Sequence, residues 1–394
     1  MKKSIKDYDL NNKRVIIRCD FNVPMKDGEI RDDNRIVAAL PTIKYAIENN
    51  AKVILMSHLG KVKEEADLAK NDLRPVSVRL SELLGKTVKF IPTTRGEELE
   101  TAVNSMMPQD VILIQNTRYE DLDGKKESGN DEELSKYWAS LGDIFINDAF
   151  GTLHRAHASN VGIASNLPTG CGFLIEKELN ELAKLDNPER PFTIILGGSK
   201  VSDKIGVIDN LIKKCDYMLI GGGMAFTFLK AKGANIGKSV LDEENIDFAK
   251  SVLAEYGDKI ILPGDIKAFK EYDNDSENRI VSLGEITDDE MGLDIGPETI
   301  KMFTDIINSS KTVFWNGPLG VYEFSNCTEG TRAVLEALVN SGATTILGGG
   351  DIVGAAGELG YKDKVTHAST GGGATLEYME GKVLPGIASI PDKE

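Results

Sequence analysis

The chain has 394 residues, more than a single hydrophobic core usually accommodates, so its length predicts two domains. Its composition, 41% hydrophobic and 27% charged residues, is typical of a globular protein. The formal net charge of −16 argues against a nucleic-acid or acidic-membrane binder, because both need a basic face. The most apolar run, YMLIGGGMAFTFL at residues 217–229, is too short to span a membrane.

Two further features of the sequence indicate the cellular compartment in which the protein is expected. The N-terminal stretch MKKSIKDYDL has lysines but no apolar stretch behind them, so no signal peptide is expected. The four cysteines lie singly, without a CxxC pair or a metal-ligand spacing. Reduced, mostly buried thiols in a cytoplasmic protein are therefore expected.

Four short apolar runs in the first half predict parallel strands that end in polar side chains. The runs are RVIIRCDFN (14–22), KVILMSHLG (52–60), VILIQNTR (111–118) and DIFINDAFG (143–151). Their alternation with helix-like segments predicts a mostly parallel sheet covered by helices. Because ligands of such folds bind beyond the carboxyl ends of the strands, this half is expected to present side chains to its ligand. The polar residues at these ends are Asp20, Asn22, His58, Asn116, Arg118, Asn147 and Asp148.

The segment CGFLIEKELNELAKLDNPERP, residues 171–191, follows the fourth run. Apolar residues at 175, 179 and 182 have helical spacing, and Pro188 and Pro191 mark the stop. The spacing predicts a helix that connects two domains.

The predicted strands of the second half end in glycines. They are FTIILGGSK (192–200), YMLIGGGMA (217–225), TVFWNGPLG (312–320) and TTILGGGD (344–351). Glycine turns that lead into helices suit a phosphate chain or a flat base that approaches the main chain closely. This half is therefore expected to present backbone to its ligand.

Three glycine-containing stretches are ambiguous by themselves. KGANIGKSV (232–240) resembles a phosphate-binding P-loop, but only three residues separate its two glycines where the motif needs four, so we reject it. In GGGDIVGAAGELG, Asp351 is equally consistent with a metal ligand and with a cap on the next helix. In GGSKVSDKIG, a helix that starts near Ser199 would place Lys200 and Lys204 on one face, which suits either an anion or solvent.

The stretch NDAFGTLHRAHASN (147–160) could be an acid–base site, a metal site or a grip for an anion. Arg35, Arg118 and Arg155 each follow or lie near a strand end, and arginine forks hold phosphate and carboxylate groups in a bidentate manner. The chain has no GxSxG elbow, no HExxH motif and no evident nucleophile. This inventory favours phosphoryl transfer, because its catalysis is mostly positioning and charge neutralisation.

The ordered segments RCDFNVP, SHLGK, HRAHAS, GGSKVSDKIGVI, LIGGGMAFTFLKAKGANIGKS, GLDIGPET, WNGPLGVYEF, GGGD and STGGGATLEYMEGKVLPG span nearly the whole chain. In this order they resemble the signature segments of the phosphoglycerate kinase family. The resemblance implies two Rossmann-like domains, joined by a hinge helix with a cleft between them. It further implies a 3-phosphoglycerate domain at residues 1–170, with the tail of about 380–394 packing back on it, and a nucleotide domain at 171–379. The implied reaction interconverts 1,3-bisphosphoglycerate plus ADP with 3-phosphoglycerate plus ATP.

The resemblance also assigns roles to residues and names partners. Mg²⁺ would accompany the nucleotide, and a cytoplasmic monomer that binds neither nucleic acid nor membrane is expected. The catalytic residues would be Arg35, Lys200, Gly371 and Gly372. The phosphoglycerate ligands would be Asp20, Asn22, Arg35, His58, Lys61, Arg118 and Arg155. The nucleotide ligands would be Gly198, Ser199, Lys204, Gly222, Gly223, Gly292, Asn316, Glu323, Gly349, Gly350, Asp351 and Ile352, with Asp351 also binding the metal.

In this interpretation HRAH is an anion grip, with Arg155 as its charge and at least one of His154 and His157 in a structural role. The acceptor carboxylate is ionised at pH 7 and needs no general base. Three residues depart from the family pattern: Lys61 replaces a usual arginine, Ile352 a small hydroxyl residue, and Ser199 an alanine. We expect weaker substrate affinity from the first, looser nucleotide binding from the second, and little effect from the third.

Two alternatives remain at this point. A nicotinamide-dependent dehydrogenase would use the glycine turns but would leave Arg35, Arg118 and Arg155 without a purpose. A non-catalytic two-domain binding protein would be supported only by Lys61 and Ile352.

Overall fold

The structure is a computed structural model that describes residues 1–394. The chain divides into two compact units, Met1–Asn180 with Val383–Glu394 (unit 1) and Glu181–Lys382 (unit 2). The first division falls within a helix, Phe173–Ala183, whereas the sequence placed it at residue 170, just before that helix. No helix of the chain has the length and apolar character that a bilayer crossing requires.

Unit 1 is built on a six-stranded parallel sheet of strand order β5-β6-β4-β1-β7-β8. The four strands expected from the sequence, β6, β4, β1 and β7, are neighbours in this sheet, so their carboxyl ends meet at one edge. A separate antiparallel pair is formed by β2 and β3. The strands are β1 Arg14–Arg18, β2 Met25–Lys26, β3 Glu29–Ile30, β4 Lys52–Met56, β5 Val88–Ile91, β6 Val111–Ile114, β7 Ile144–Asn147 and β8 Thr169–Cys171.

Helices cover both faces of this sheet, which explains the continuous apolar runs of its strands. In β1, Val15 and Ile17 pack into one core, whereas Ile16 packs into a second core with Trp138 on the other face. This alternation follows from the two-residue period of a strand. The helices of unit 1 are α1 Asn34–Glu48, α2 Ala66–Lys70, α3 Arg74–Leu84, α4 Glu97–Asn104, α5 Glu132–Ser140 and α6 Phe173–Ala183.

The helix predicted between the domains is α6, and its expected apolar positions Ile175 and Leu182 are fully buried. Asp148, which follows β7, accepts a hydrogen bond from the Leu174 N–H through Oδ1 at 3.0 Å. This bond satisfies one of the unpaired donors in the first turn of α6. Asp148 is 2% exposed, and burial raises the pKa of its carboxyl to about 7.

Unit 2 contains a second six-stranded parallel sheet of order β11-β10-β9-β15-β16-β17. The predicted α/β class, with parallel sheets flanked by helices, is confirmed. The strands are β9 Phe192–Leu196, β10 Tyr217–Ile220, β11 Ile260–Ile261, β12 Asp265–Phe269, β13 Asn278–Ser282, β14 Met291–Ile295, β15 Thr312–Asn316, β16 Thr344–Leu347 and β17 His367–Ala368. The remaining helices are α7 Ile205–Leu211, α8 Met224–Ala231, α9 Ile246–Tyr256, α10 Pro297–Ser309, α11 Glu329–Asn340, α12 Gly350–Glu358, α13 Gly373–Met379 and α14 Pro385–Ala388, the last in the segment that belongs to unit 1.

Unit 2 also contains a three-stranded antiparallel sheet, β13-β12-β14, that the sequence did not predict. Most of β13 is exposed, so its sequence lacks the apolar run that marks the other strands. The β12–β13 hairpin turns through Lys270–Glu277, a polar stretch.

The segment Val383–Glu394 packs on unit 1. The Lys3 N–H donates to the Pro391 carbonyl at 2.8 Å, and the Lys393 N–H donates to the Met1 carbonyl at 2.7 Å. Lys393 also forms an ion pair with Asp7 at 3.3 Å. These bonds fix the two ends of the described chain next to each other.

Candidate active site

In unit 1, the loops that follow β1, β4 and β6 are joined through Gly60 of the SHLGK segment. The Gly60 N–H donates to Asn22 Oδ1 at 2.8 Å, and its carbonyl accepts from Arg118 Nη1 at 2.8 Å. Arg118 Nε is buried and has no partner, so the guanidinium keeps a donor for a ligand. Asn22 and Arg118, two predicted ligand residues, are therefore brought together.

Asn116, one of the strand-end side chains that the sequence predicted to face the ligand, is buried and organises these loops. Its Oδ1 accepts the Leu59 and Arg118 N–H groups at 3.1 and 3.0 Å, and its Nδ2 donates to the carbonyls of Leu59 and Asn71 at 2.7 and 3.0 Å. The side chain is fully buried and uses all of its ordinary bonding capacity. Asn116 thus fixes the backbone that carries Arg118.

Arg35, in the first turn of α1, is held at the end of β1. Its Nη1 donates to Asp20 Oδ1 at 3.1 Å and to the Asn22 carbonyl at 3.0 Å. The guanidinium is 46% exposed, which leaves its other donors open. The structure therefore places Arg35, Asp20 and Asn22 in one contact group, as the resemblance implied.

His58 is buried and contacts a residue that sequence reasoning missed, Arg18. Burial, followed by the positive charges of Arg18 and Arg118, holds the pKa of His58 well below its usual range, so the ring is neutral. Arg18 Nη2 lies 3.0 Å from His58 Nδ1. Since a guanidinium only donates, Nδ1 must accept, and the ring proton resides on Nε2. His58 can thus offer an uncharged N–H donor to an anion.

Arg18 is 1% exposed and lies at the end of β1, where it reads as an ordinary strand residue. Its Nε donates to Ser159 Oγ at 2.9 Å and its Nη1 to the Cys19 carbonyl at 2.5 Å. The negative charge of Glu127 opposes the lowering of the Arg18 pKa by burial. The sequence did contain one signal for this role, because Arg18 directly follows the apolar residues of β1 at the end of that strand.

Glu127 is a second residue that the sequence did not single out. It is fully buried, its Oε1 accepts the Ser159 N–H at 2.8 Å, and its Oε2 has no partner. Ser159 in turn accepts from Arg18. A buried carboxylate therefore supports the buried guanidinium through the backbone and side chain of one serine.

The HRAH segment is shaped by Asn160. Asn160 Oδ1 accepts the His157 N–H at 2.7 Å, and its Nδ2 donates to the Arg155 carbonyl at 2.9 Å. Burial, with the charges of Arg18 and Arg118, lowers the pKa of His157 to about 4, so the ring is neutral at pH 7. Arg155 is exposed and is the positive charge of the segment.

The arginines converge on one region of unit 1. His58 lies in the field of Arg18, Arg118 and Arg35, and His157 lies in the field of Arg18, Arg118 and Arg155. Lys61, the remaining predicted cationic ligand of this unit, is exposed. The cluster is strongly cationic in a chain of net charge −16, which suits an anion with both carboxylate and phosphate groups.

Unit 2 contains a cavity of about 560 Å³ at the glycine-ended strands. Its apolar walls include Phe226, Ile266 and Leu293, which suit a flat base. Seven of the predicted nucleotide ligands line it: Gly198, Ser199, Gly222, Gly223, Gly292, Glu323 and Asp351.

Two of these glycines are required by close packing. Gly222 has φ of 64°, and a Cβ there would lie 2.8 Å from the Gly198 nitrogen. A Cβ at Gly292 would lie 2.2 Å from Phe226 Cζ. Side chains at either position would close the cavity wall or displace its neighbours.

Lys204 and Asn316 lie beside the cavity and not in its lining. Lys204 Nζ donates to Asn316 Oδ1, and Asn316 Nδ2 donates to the Gly348 carbonyl at 2.6 Å. Burial lowers the pKa of Lys204, while the charges of Asp203 and Asp351 oppose this shift. The contacts of Asn316 with Lys204 and Gly348 therefore link the ends of β9, β15 and β16, and the negative charge of Asp351 acts on Lys204.

The first turn of α12 presents Gly350 and Asp351 to solvent. Gly349 is the N-cap, and no side chain caps this helix, so the interpretation of Asp351 as a helix cap is wrong. An exposed carboxylate beside helix N–H groups and Lys204 fits Mg²⁺ held mainly by phosphate oxygens, because Mg²⁺ commonly takes one or two protein carboxylates plus phosphates.

The structure narrows two sequence-based expectations and corrects two others. Ile352 is fully buried in the hydrophobic core, so only its main chain can face a nucleotide. The Gly371 N–H donates to Ser369 Oγ at 3.2 Å, which leaves the main chain around Gly372 as the open part of the STGGG turn. The helix after GGSK begins at Ile205 and not near Ser199. Lys200 is accordingly extended and exposed, without a carboxylate partner, and it does not share a helix face with Lys204.

The rejected P-loop follows helix α8 and not a strand, as the phosphate-binding motif would require. Its lysine nevertheless lines the cavity: Lys238 forms an ion pair with Glu271 at 3.7 Å. The glycine spacing excluded a P-loop correctly, but it gave no sign that Lys238 borders the ligand cavity.

Known proteins resemble this chain over its whole length. A family model described as phosphoglycerate kinase matches residues 5–382. Phosphoglycerate kinases of Listeria innocua and Enterococcus faecalis are each 61% identical to it, with 100% of both chains covered. A solved phosphoglycerate kinase structure from Coxiella burnetii superposes with a TM-score of 0.91 at 39% identity, covering 99% of this chain and 98% of the other.

The corresponding structure from Pyrococcus horikoshii has a TM-score of 0.84 at 32% identity and covers 98% of both chains. None of these relatives supports a nicotinamide-dependent dehydrogenase or a non-catalytic binding protein. The extent and identity of the matches agree with the anion cluster of unit 1 and the glycine-lined cavity of unit 2. The chain belongs to the phosphoglycerate kinase family.

Proposed function

We propose that unit 1 binds 3-phosphoglycerate and 1,3-bisphosphoglycerate at the arginine cluster, and that unit 2 binds ATP and ADP in the glycine-lined cavity. The activity follows from the family: a phosphotransferase with a carboxyl acceptor, which moves a phosphoryl group reversibly between 1,3-bisphosphoglycerate and ADP. The observation that carries the assignment of unit 1 is the convergence of Arg18, Arg35 and Arg118 on a neutral His58, with Arg155 acting on the neutral His157.

The chemistry requires no general base. The acceptor in the direction of ATP consumption is a carboxylate, which is already ionised at pH 7. His58 and His157 are both neutral, and His58 offers its Nε2 proton as a hydrogen-bond donor to substrate oxygen. Both imidazoles thus bind the substrate or support the residues that bind it, and neither needs to accept a proton.

Charge neutralisation of the transferring phosphoryl group is assigned to Arg35 and Lys200. Arg35 is held by Asp20 and Asn22 through one nitrogen, which fixes its position while the rest of its fork stays open. Lys200 is exposed and forms no ion pair with a carboxylate, so its side chain is available to an anion. Backbone N–H groups at Gly372 would add donors.

Asp351 and the first turn of α12 would hold the Mg²⁺–nucleotide complex, with Lys204 on the nucleotide phosphates. The metal would supply further charge neutralisation of the phosphate oxygens. Lys204 is fixed by Asn316, so it reaches the phosphates from a preformed position.

Since donor and acceptor are assigned to different units, the reaction requires the two bound substrates to meet. We include in the proposal the hinge bending that the resemblance implies, together with a cytoplasmic monomer. Small-angle scattering with both substrates present is expected to give a smaller radius of gyration than with either alone. An unchanged radius with active enzyme would contradict closure.

The test of the assignment is an assay of 3-phosphoglycerate with MgATP, in which bisphosphoglycerate is consumed by a reducing dehydrogenase. Arg35→Ala and Lys200→Ala are each expected to lower kcat by on the order of 10³-fold, by analogy with other phosphoryl-transfer cations. Arg31→Ala and Lys213→Ala remove exposed charges from the same units and serve as matched controls. Full turnover in Arg35→Ala or Lys200→Ala would refute that residue's assignment.

A further inference from the structure

The β12–β13 hairpin brings an aromatic side chain to the cavity of unit 2. Tyr272, in its turn, lines the cavity and is 62% exposed. It is the one aromatic residue among the exposed large hydrophobic side chains of the chain, and Val240, another of that group, lines the same cavity. Two exposed apolar side chains thus lie together where a ligand would cover them.

The hairpin turn is fastened to the segment that follows Glu323. Asn274 Oδ1 accepts the Asn326 N–H at 2.9 Å, and the Asn274 carbonyl accepts from Asn326 Nδ2 at 2.7 Å. Lys267 Nζ, at the base of the hairpin, donates to the Asn326 carbonyl at 2.6 Å. These bonds hold the turn in place without a ligand, so the position of Tyr272 is preformed.

The Tyr272 ring is supported on one side by Phe324. The two ring centroids are 4.9 Å apart, with an interplanar angle of 56°. Phe324 is adjacent to Glu323, which also lines the cavity. A ring that is supported by a second aromatic, yet largely exposed, has a free surface for another flat group.

We propose that Tyr272 is a specificity-determining residue for the nucleotide, whose ring stacks against the purine base. This inference rests on the proposed binding of nucleotide in the cavity of unit 2. The apolar wall residues Phe226, Ile266 and Leu293 have no side-chain hydrogen-bonding groups, so these walls accept a flat base without distinguishing one base from another. Stacking on Tyr272 therefore adds a preference for large ring systems, and purines are expected to gain more from it than pyrimidines.

The experiment compares Tyr272→Ala and Tyr272→Phe with the unaltered chain in the coupled assay. Tyr272→Ala is expected to raise KM for ATP by about 2- to 12-fold, the range for one aromatic pair, while kcat and KM for 3-phosphoglycerate stay unchanged. Tyr272→Phe keeps the ring and is expected to retain the original KM. Ile280→Ala, at an exposed position on the same hairpin outside the cavity lining, is the matched control.

A second measurement separates stacking from a change in cavity shape. Inorganic tripolyphosphate, which has no base, is used as a competitive inhibitor against ATP, and its inhibition constant is expected to be the same with Tyr272→Ala. With Tyr272→Ala, the KM for CTP is expected to rise less than the KM for ATP. Asn274→Ala, which releases the turn, is expected to raise KM for ATP in the same direction.

Weaker tripolyphosphate binding, an equal loss for CTP, or an unchanged KM for ATP in Tyr272→Ala would each overturn the stacking role. Failure of the proposed function would look different, because the unaltered chain would then lack turnover or show no competition between tripolyphosphate and ATP. Tyr272 is largely exposed, so we expect its variants to fold, and unchanged thermal midpoints check this directly.

Discussion

The buried pair formed by Arg18 and Glu127 permits a double-mutant test of the site in unit 1. Arg18→Met removes three hydrogen bonds, to Ser159, Cys19 and His58, and leaves Glu127 buried without a compensating charge. At about 1 kcal/mol for each bond, plus the cost of the unpaired carboxylate, unit 1 is expected to lose about 3–5 kcal/mol of stability. Its KM for 3-phosphoglycerate is expected to rise, because His58 loses the donor that fixes its tautomer.

Glu127→Gln keeps an oxygen acceptor for the Ser159 N–H but removes the charge. Alone it is expected to cost about 1–2 kcal/mol, since Arg18 then remains buried without a counter-charge. In the double variant neither charge is left unpaired, so the combined loss is expected to be about 1 kcal/mol smaller than the sum of the two single losses. The double variant should not recover affinity for 3-phosphoglycerate, because the guanidinium is still missing.

The chain offers a clean readout for this cycle because each unit holds one tryptophan. Trp138 belongs to unit 1 and Trp315 to unit 2, and both are fully buried. In a Trp315→Phe background, fluorescence during urea unfolding reports unit 1 alone, which avoids treating a two-domain protein as a single transition. Strictly additive losses, or recovery of substrate affinity in the double variant, would refute the reasoning.

Three further predictions concern single residues. Burial raises the pKa of Asp148 to about 7 from its ordinary 3.8, so the folded chain keeps a proton that the unfolded chain releases as pH rises from about 4 to about 7. Unit 1 should therefore lose stability across that window, by about 4 kcal/mol at most, and Asp148→Asn should flatten this slope in urea titrations at several pH values. Lys61→Arg restores a fork and is expected to lower KM for 3-phosphoglycerate by roughly 3- to 10-fold in the coupled assay, whereas Lys63→Arg, at a nearby exposed position, should not. Ile352→Ser is expected to lower the stability of unit 2 by about 3 kcal/mol, measured by the fluorescence of Trp315 during unfolding, and to leave the KM for ATP no lower than before. A lower KM for ATP would show that the hydroxyl reaches the nucleotide.

The parallel sheets and their polar or glycine ends were predictable because each strand and the group that follows it are contiguous in the sequence. Asp20, Asn22, His58 and Arg118 come together for that reason alone, since parallel neighbours end at the same edge. The β12–β14 sheet was missed because β13 lacks an apolar run. This sheet contributes to the proposed nucleotide site through the β12–β13 hairpin, whose turn carries Tyr272.

Residues that act through tertiary contacts could not be predicted from the spacing of residues in the sequence. Nothing near Glu127 in the sequence indicates that its carboxylate meets Ser159, more than thirty positions later. Ile352 was assigned to the nucleotide from the family resemblance, and the sequence contained no sign that its side chain is buried, which it is because successive residues of a helix point about 100° apart. Asp351 accordingly faces solvent while Ile352 enters the core.

The segment Val383–Glu394 gives the two units different positions in the order of synthesis. Unit 2 is one continuous stretch, Glu181–Lys382, so all of its residues are synthesised before the last part of unit 1. Unit 1 begins first but finishes last, because the carbonyl that receives the Lys3 N–H belongs to Pro391. During translation its early strands must persist with the neighbourhood of residues 1–7 uncovered, while the whole of unit 2 is synthesised behind them.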